Sequence, residues 1–191
     1  MRTALLGLAA LLVASQGVAG SIGVYADPGA TRCNLSIAQG QSAVVHVVGR
    51  TSSSDPFGGD VNAGECRIVG VPPSWLATAI ADPALTAVFG DPLGDGAVFA
   101  WGVVRAGVIP IFTIALTATT EVQNLEFQVT RHVNPSPPFG YPTTCPWFLY
   151  ACGGACDITG TCVDGVSLMV NGACTTGVEG TTWSRMRGLY R

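Results

Sequence analysis

The chain has 191 residues, 48% hydrophobic and only 11% charged, with 25 Gly, 12 Pro and 7 Cys. So apolar a composition excludes a disordered, solvating chain, and the length suits one domain with a small appendage. A formal net charge of −3 gives nothing with which to hold nucleic acid or an anionic membrane surface.

In chain order, Met1-Arg2 followed by the apolar run Leu5–Val13 and the small residues Val18-Ala19-Gly20 reads as a signal peptide over residues 1–20. The run is too short to span a bilayer. Residues 21–135 carry the strand signals. Ser42–Val48 and Glu65–Val71 are β-branched and alternating, with Cys66 and Ile68 on one face and Glu65 and Arg67 on the other. Ala97–Val104 and Val108–Thr119 form an apolar stretch broken by a turn at Arg105-Ala106-Gly107, and the central Arg opposes a membrane span. The second of these strands is apolar on both faces, as a central strand would be, and Pro110 should mark its start. Val122–His132 is the clearest strand: Leu125, Phe127 and Val129 share the dry face, and Asn124, Glu126, Gln128 and Thr130 the wet one. Asp-Pro occurs at 27, 55, 82 and 91, each a turn signal. Asn171-Gly172 predicts a two-residue hairpin turn. Short strands divided by turns, without a long helical period, predict an all-β fold, an antiparallel β-sandwich.

All seven cysteines follow the signal-like segment: Cys33, Cys66, Cys145, Cys152, Cys156, Cys162 and Cys174. Export implies oxidation to disulfides. Five of them crowd into 145–174, so residues 136–180 read as a disulfide-braced region completing or capping the sandwich. Cys33 and Cys66 are the expected long-range pair, although spacing alone does not set connectivity and one thiol is left over. The spacing lacks the paired C-x2-C of a zinc ribbon. In the tail, residues 181–191, Trp183, Met186 and Tyr190 lie on one stripe of a short C-terminal helix.

Four stretches resemble a set of uncharacterised exported bacterial proteins: Ile22-Gly-Val-Tyr-Ala-Asp-Pro with Cys33-Asn-Leu, Gly70-Val-Pro-Pro-Ser-Trp75, Ala115-Leu-Thr-Ala-Thr-Thr120, and Trp183-Ser-Arg-Met-Arg-Gly-Leu-Tyr190. The resemblance implies a signal peptide and a single cohesin-like or immunoglobulin-like sandwich. It carries over no catalytic residue.

Chemistry is sparse. The two histidines, His46 and His132, have no G-x-S-x-G nucleophile elbow to serve, and the absence of Lys excludes Schiff-base chemistry. A secreted hydrolase acting on extracellular polymer is the alternative reading, with His46 its best base. Loop aspartates Asp55, Asp60, Asp91 and Asp95 are weak calcium candidates that lack an EF-hand spacing. Aromatics at Phe139, Tyr141, Trp147, Phe148 and Tyr150 are candidate recognition residues on a disulfide-pinned loop. The expectation is an exported, non-enzymatic binding or structural module without a cofactor. It would act outside the cell, at the surface or in the periplasm, on a protein or glycan of the envelope.

Overall fold

The computed structural model describes residues 20–53, 55, 59–134, 145–151 and 159–174. The signal-like segment, Phe139, Tyr141, Cys152, Cys156 and the C-terminal stripe lie outside them. Thirteen strands are present among the described residues: β1 (Ser21–Tyr25), β2 (Asn34–Leu35), β3 (Ser42–Arg50), β4 (Val61–Val69), β5 (Leu76–Ala81), β6 (Ala87–Asp91), β7 (Gly96–Arg105), β8 (Val108–Thr117), β9 (Leu125–Thr130), β10 (Trp147–Tyr150), β11 (Thr159–Cys162), β12 (Asp164–Val166) and β13 (Leu168–Val170). They form two sheets. One has five strands in the order β12-β1-β3-β8-β5. The other has eight: β11-β10-β4-β9-β13-β2, with β7 also on β4 and β6 on β7. The result is an all-β sandwich with a disulfide-braced C-terminal part.

The alternating patterns translate directly into packing. In β9, Phe127 and Val129 are buried while Glu126 and Gln128 are exposed. β8 is central in its sheet, as its two apolar faces suggested. Pro110, however, sits inside β8 rather than at its start. Val47 pairs with Phe112 and Val48 with Pro110, so Ile111 is the extra residue of a β-bulge. A proline cannot donate to the ladder, and the irregular pairing accommodates it. The turn at 105–107 lies where predicted, with Gly107 at a φ of 81°. It carries the chain from one sheet to the other, since β7 and β8 pair with different neighbours.

Two expectations are corrected. Cys33 bonds to Cys174, not to Cys66, with the Cα atoms 5.8 Å apart across a sequence separation of 141. The parallel pairing of β2 with β13, Asn34 against Met169, sets Cys33 beside the start of β13, and the bend at Asn171 and Gly172 brings Cys174 back to it. Cys66 points instead into the core, fully buried and reduced. Asn171-Gly172 bends the chain, but among the described residues no strand ladder follows to make it a hairpin. Asn171 does adopt a positive φ, 52°. Its amide accepts from Ile37 N–H (2.9 Å) and donates to the carbonyls of Ile37 (2.8 Å) and Val122 (3.0 Å), tying three segments together. A second disulfide, Cys145–Cys162, staples the antiparallel pair β10–β11.

Aromatic rings fill the space between the sheets. Phe99 packs edge-on against Trp101 and Phe112, and Phe148 edge-on against Tyr150. Room for them comes from missing side chains. A Cβ on Gly49 would lie 2.5 Å from the tip of the Phe148 ring, and one on Gly64 would meet both Phe99 and Phe148 within 3 Å.

Candidate functional site

The five-stranded sheet presents one bare area. In register across β3, β8 and β5 run three rows: Ser42–Thr117–Leu76, Val44–Ala115–Thr78, and His46–Thr113–Ile80. Side chains two apart on a strand share a face, and these nine residues share the outer one. Their alternates Val45, Val47, Ile114 and Leu116 are buried in the core. Leu76 is 67% exposed, Ile80 56% and Val44 48%. Large apolar side chains left this open in one contiguous area are the feature of a surface that calls for explanation.

The area is uncharged. His46 is half-buried, and burial pushes its imidazole below the ordinary pKa, against a partial upward pull from Asp27. The neutral form therefore prevails at neutral pH. Ser42 and Thr117 bond to each other through their hydroxyls at 2.9 Å, which uses up part of their polarity. A shallow groove of about 310 Å³ runs along the face over Val44, Leu76, Thr78, Ala115 and Thr117.

Toward the start of β8 the same outer surface also exposes Val108, Pro110 and Arg50, whereas the part beside β1 is covered. Tyr25, Ala30 and Val48 form a small second cluster with Val166 beside β1. The 27–32 turn holds itself there: the Asp27 carboxylate accepts from the N–H groups of Thr31 and Arg32 and from the Thr31 hydroxyl. A slight burial cost opposes these bonds, but they win and hold Asp27 below the usual carboxylate range.

A second concavity, of about 730 Å³, is lined by Ser36, Gln39, Gln41, Glu121, Gln123 and Asn171 among others. Its amides are largely spoken for. Gln39 donates to Thr119 O, Gln41 accepts from Ala38 N–H, and Asn171 is the three-segment tie.

The residues singled out in the sequence fall elsewhere. Trp147, Phe148 and Tyr150 lie on β10 with exposures of 6%, 0% and 0%, so they are packing residues and present no ring to a ligand. They read as a loop in sequence because β10 is short and its partner β4 lies about eighty residues away. Asp55 and Asp91 cap their own turns, accepting from Ser52 N–H and Leu93 N–H. Among the described residues no group of three or more His, Cys, Asp or Glu side chains could hold a metal ion. His46 and His132 stand on different sheets' outer surfaces. The sequence reading missed β5, because three alanines in six residues give it weak strand propensity. The period-2 pattern Leu76, Thr78, Ile80 against Ala77, Ala79, Ala81 was its signal.

The eight-stranded sheet has a different outer row: Phe89, Val98, Glu65 and Trp147 stand in register across β6, β7, β4 and β10. Glu65 is fully buried, and neither carboxyl oxygen makes a hydrogen bond. Burial raises its pKa, tempered by the nearby His132 and the Trp147 side chain. The 131–134 segment covers this region: Val133 N–H bonds to Asp95 O at 2.7 Å, and a Cβ on Gly96 would strike His132.

No protein-family profile and no curated protein matches the chain in sequence. Solved structures do match in fold. A cohesin module from a Clostridium perfringens family 33 glycoside hydrolase superposes with a TM-score of 0.50 at 11% identity, covering 82% of this chain and 99% of that one. The sixth cohesin of Acetivibrio cellulolyticus scaffoldin B, solved in complex with a dockerin, gives 0.48 at 12% identity over 81% and 99%. A type III cohesin from the ScaE cell-surface anchoring scaffoldin of Ruminococcus flavefaciens gives 0.43 at 10% over 84% and 92%. The sandwich is cohesin-like.

Proposed function

We propose that this protein is an exported, non-catalytic binding module that engages a protein partner through the outer face of β3, β8 and β5. The observation that carries this reading is the uncharged, register-ordered area in which Val44, Leu76 and Ile80 stand about half or more exposed. A flat apolar area edged by Ser and Thr hydroxyls suits a protein surface. It lacks the exposed aromatic rings on which a sugar would stack. The cohesin-like sandwich supports a binding role, and two disulfides fit an oxidising compartment outside the cytoplasm.

The test is capture from extracellular and envelope extracts on immobilised protein, run beside Leu76→Asp and Val44→Asp. A polypeptide retained by the parent protein and lost in both variants is the expected result. Retention of the same species by both variants would remove this face from the function. Binding to a glycan array without any retained polypeptide would replace the protein partner with a sugar.

A further inference from the structure

The edge of the same sheet carries an inference that does not depend on the partner reading. Among the described residues β5 pairs only with β8, so its other side presents backbone N–H and C=O groups without a strand neighbour. Such an edge templates pairing with another chain, and proteins ordinarily blunt it with charge, proline or a bulge. β5 has none of these. It reads Leu-Ala-Thr-Ala-Ile-Ala, and its ladder with β8 runs without a register shift.

We infer that β5 pairs antiparallel with β5 of a second copy of this chain, about a twofold axis at Thr78. The pattern selects that register. Residues opposite one another in an antiparallel pair share a face, so an odd slip would set outward residues against inward ones. With Thr78 facing its own copy, Leu76 lies against Ile80 of the second copy on the outer face, and Ala77 against Ala79 on the inner. From Leu76 to Ile80 every pair is then like with like (large apolar, hydroxyl, small), and Ala81 falls opposite Trp75 just outside the strand. Shifting by two residues one way brings Leu76 opposite the second copy's Asp82, and shifting the other way sets Leu76 against Thr78 and Ile80 against Ser74.

Charge favours a second copy over a foreign strand. In this register a charge at position 78 would meet itself across the axis, and a charge at 76 or 80 would face a large apolar side chain, so self-pairing favours an uncharged β5. β5 carries no charge in a surface that elsewhere exposes Glu126, Arg131 and Asp164. The product is a closed, isologous dimer in which two five-stranded sheets join into one ten-stranded sheet. The bare areas of both copies then become continuous across the axis.

Sedimentation velocity on the purified protein over a concentration series up to roughly 100 µM tests this, since a short edge pairing gives affinities in the micromolar range. A reversible dimer is expected. Thr78→Lys and Thr78→Glu each place two like charges at the axis and should each be monomeric at least tenfold further up the series. Mixed together they should form the heterodimer. That recovery separates loss of pairing from loss of folding. As a register check, Thr78→Cys should cross-link to itself, because opposed Cα atoms at 4.5–5.5 Å lie within disulfide reach. A parent protein that stays monomeric throughout, a dimer that survives Thr78→Lys, or lysine and glutamate variants that fail to associate when mixed would each overturn the inference.

Discussion

The outer faces of the two sheets obey the same alternation and are covered to different extents. On the five-stranded sheet the outward residues Val44, Leu76 and Ile80 are apolar and stand in solvent. On the eight-stranded sheet the outer row runs from Phe89, exposed on β6, to Glu65 and Trp147, which are both buried although one of them is a carboxylic acid. Pleating decides only which residues share a face. Whether that face meets water depends on what the chain lays over it later. Over Glu65 it lays the 131–134 segment, far along in sequence. Over Val44 the described residues lay nothing. Cover, not alternation, therefore sets which outward side chains stay dry.

The comparison can be broken at the staple that holds the late strands in place. Replacing Cys33 and Cys174 together by Ser frees a sequence separation of 141 and should cost about 3–5 kcal/mol in urea unfolding. An unchanged midpoint would mean that β13 docks on β2 without covalent help. Next in size is the buried aromatic of β10. Phe148→Ala should cost about 3–5 kcal/mol by removing a fully buried ring, and Gly49→Ala about 1–3 kcal/mol by crowding the same ring. If Phe148 served recognition instead, its removal would leave stability intact.

The smallest effect sharpens the contrast between the faces. Glu65 has its pKa raised on folding from an ordinary 4.5. The folded state therefore holds its proton more tightly than the unfolded one. Its contribution is most favourable below pH 4.5 and is lost as pH rises through the folded pKa. Glu65→Gln should thus stabilise the protein at pH 7 by about 1 kcal/mol and flatten the fall of stability as pH rises above 4.5. The groups facing the carboxyl are His132 and Trp147. A variant less stable than the parent at pH 7 would show that the charge is satisfied after all.

Sequence alone determined what is local. The sandwich class, the strands β3, β7, β8 and β9, the turn at 105–107 and the dry face of β9 all follow from period-2 patterning and turn chemistry, which act over a few residues. The nine-residue area was illegible, because its rows combine strands from three distant parts of the chain and one of them is alanine-rich. Only tertiary structure decided that Cys33 meets Cys174, that β10 enters the core, that Glu65 is covered and that Leu76 is not. Each of these depends on pairing between segments tens of residues apart, and spacing along a chain does not encode which distant strand arrives beside it.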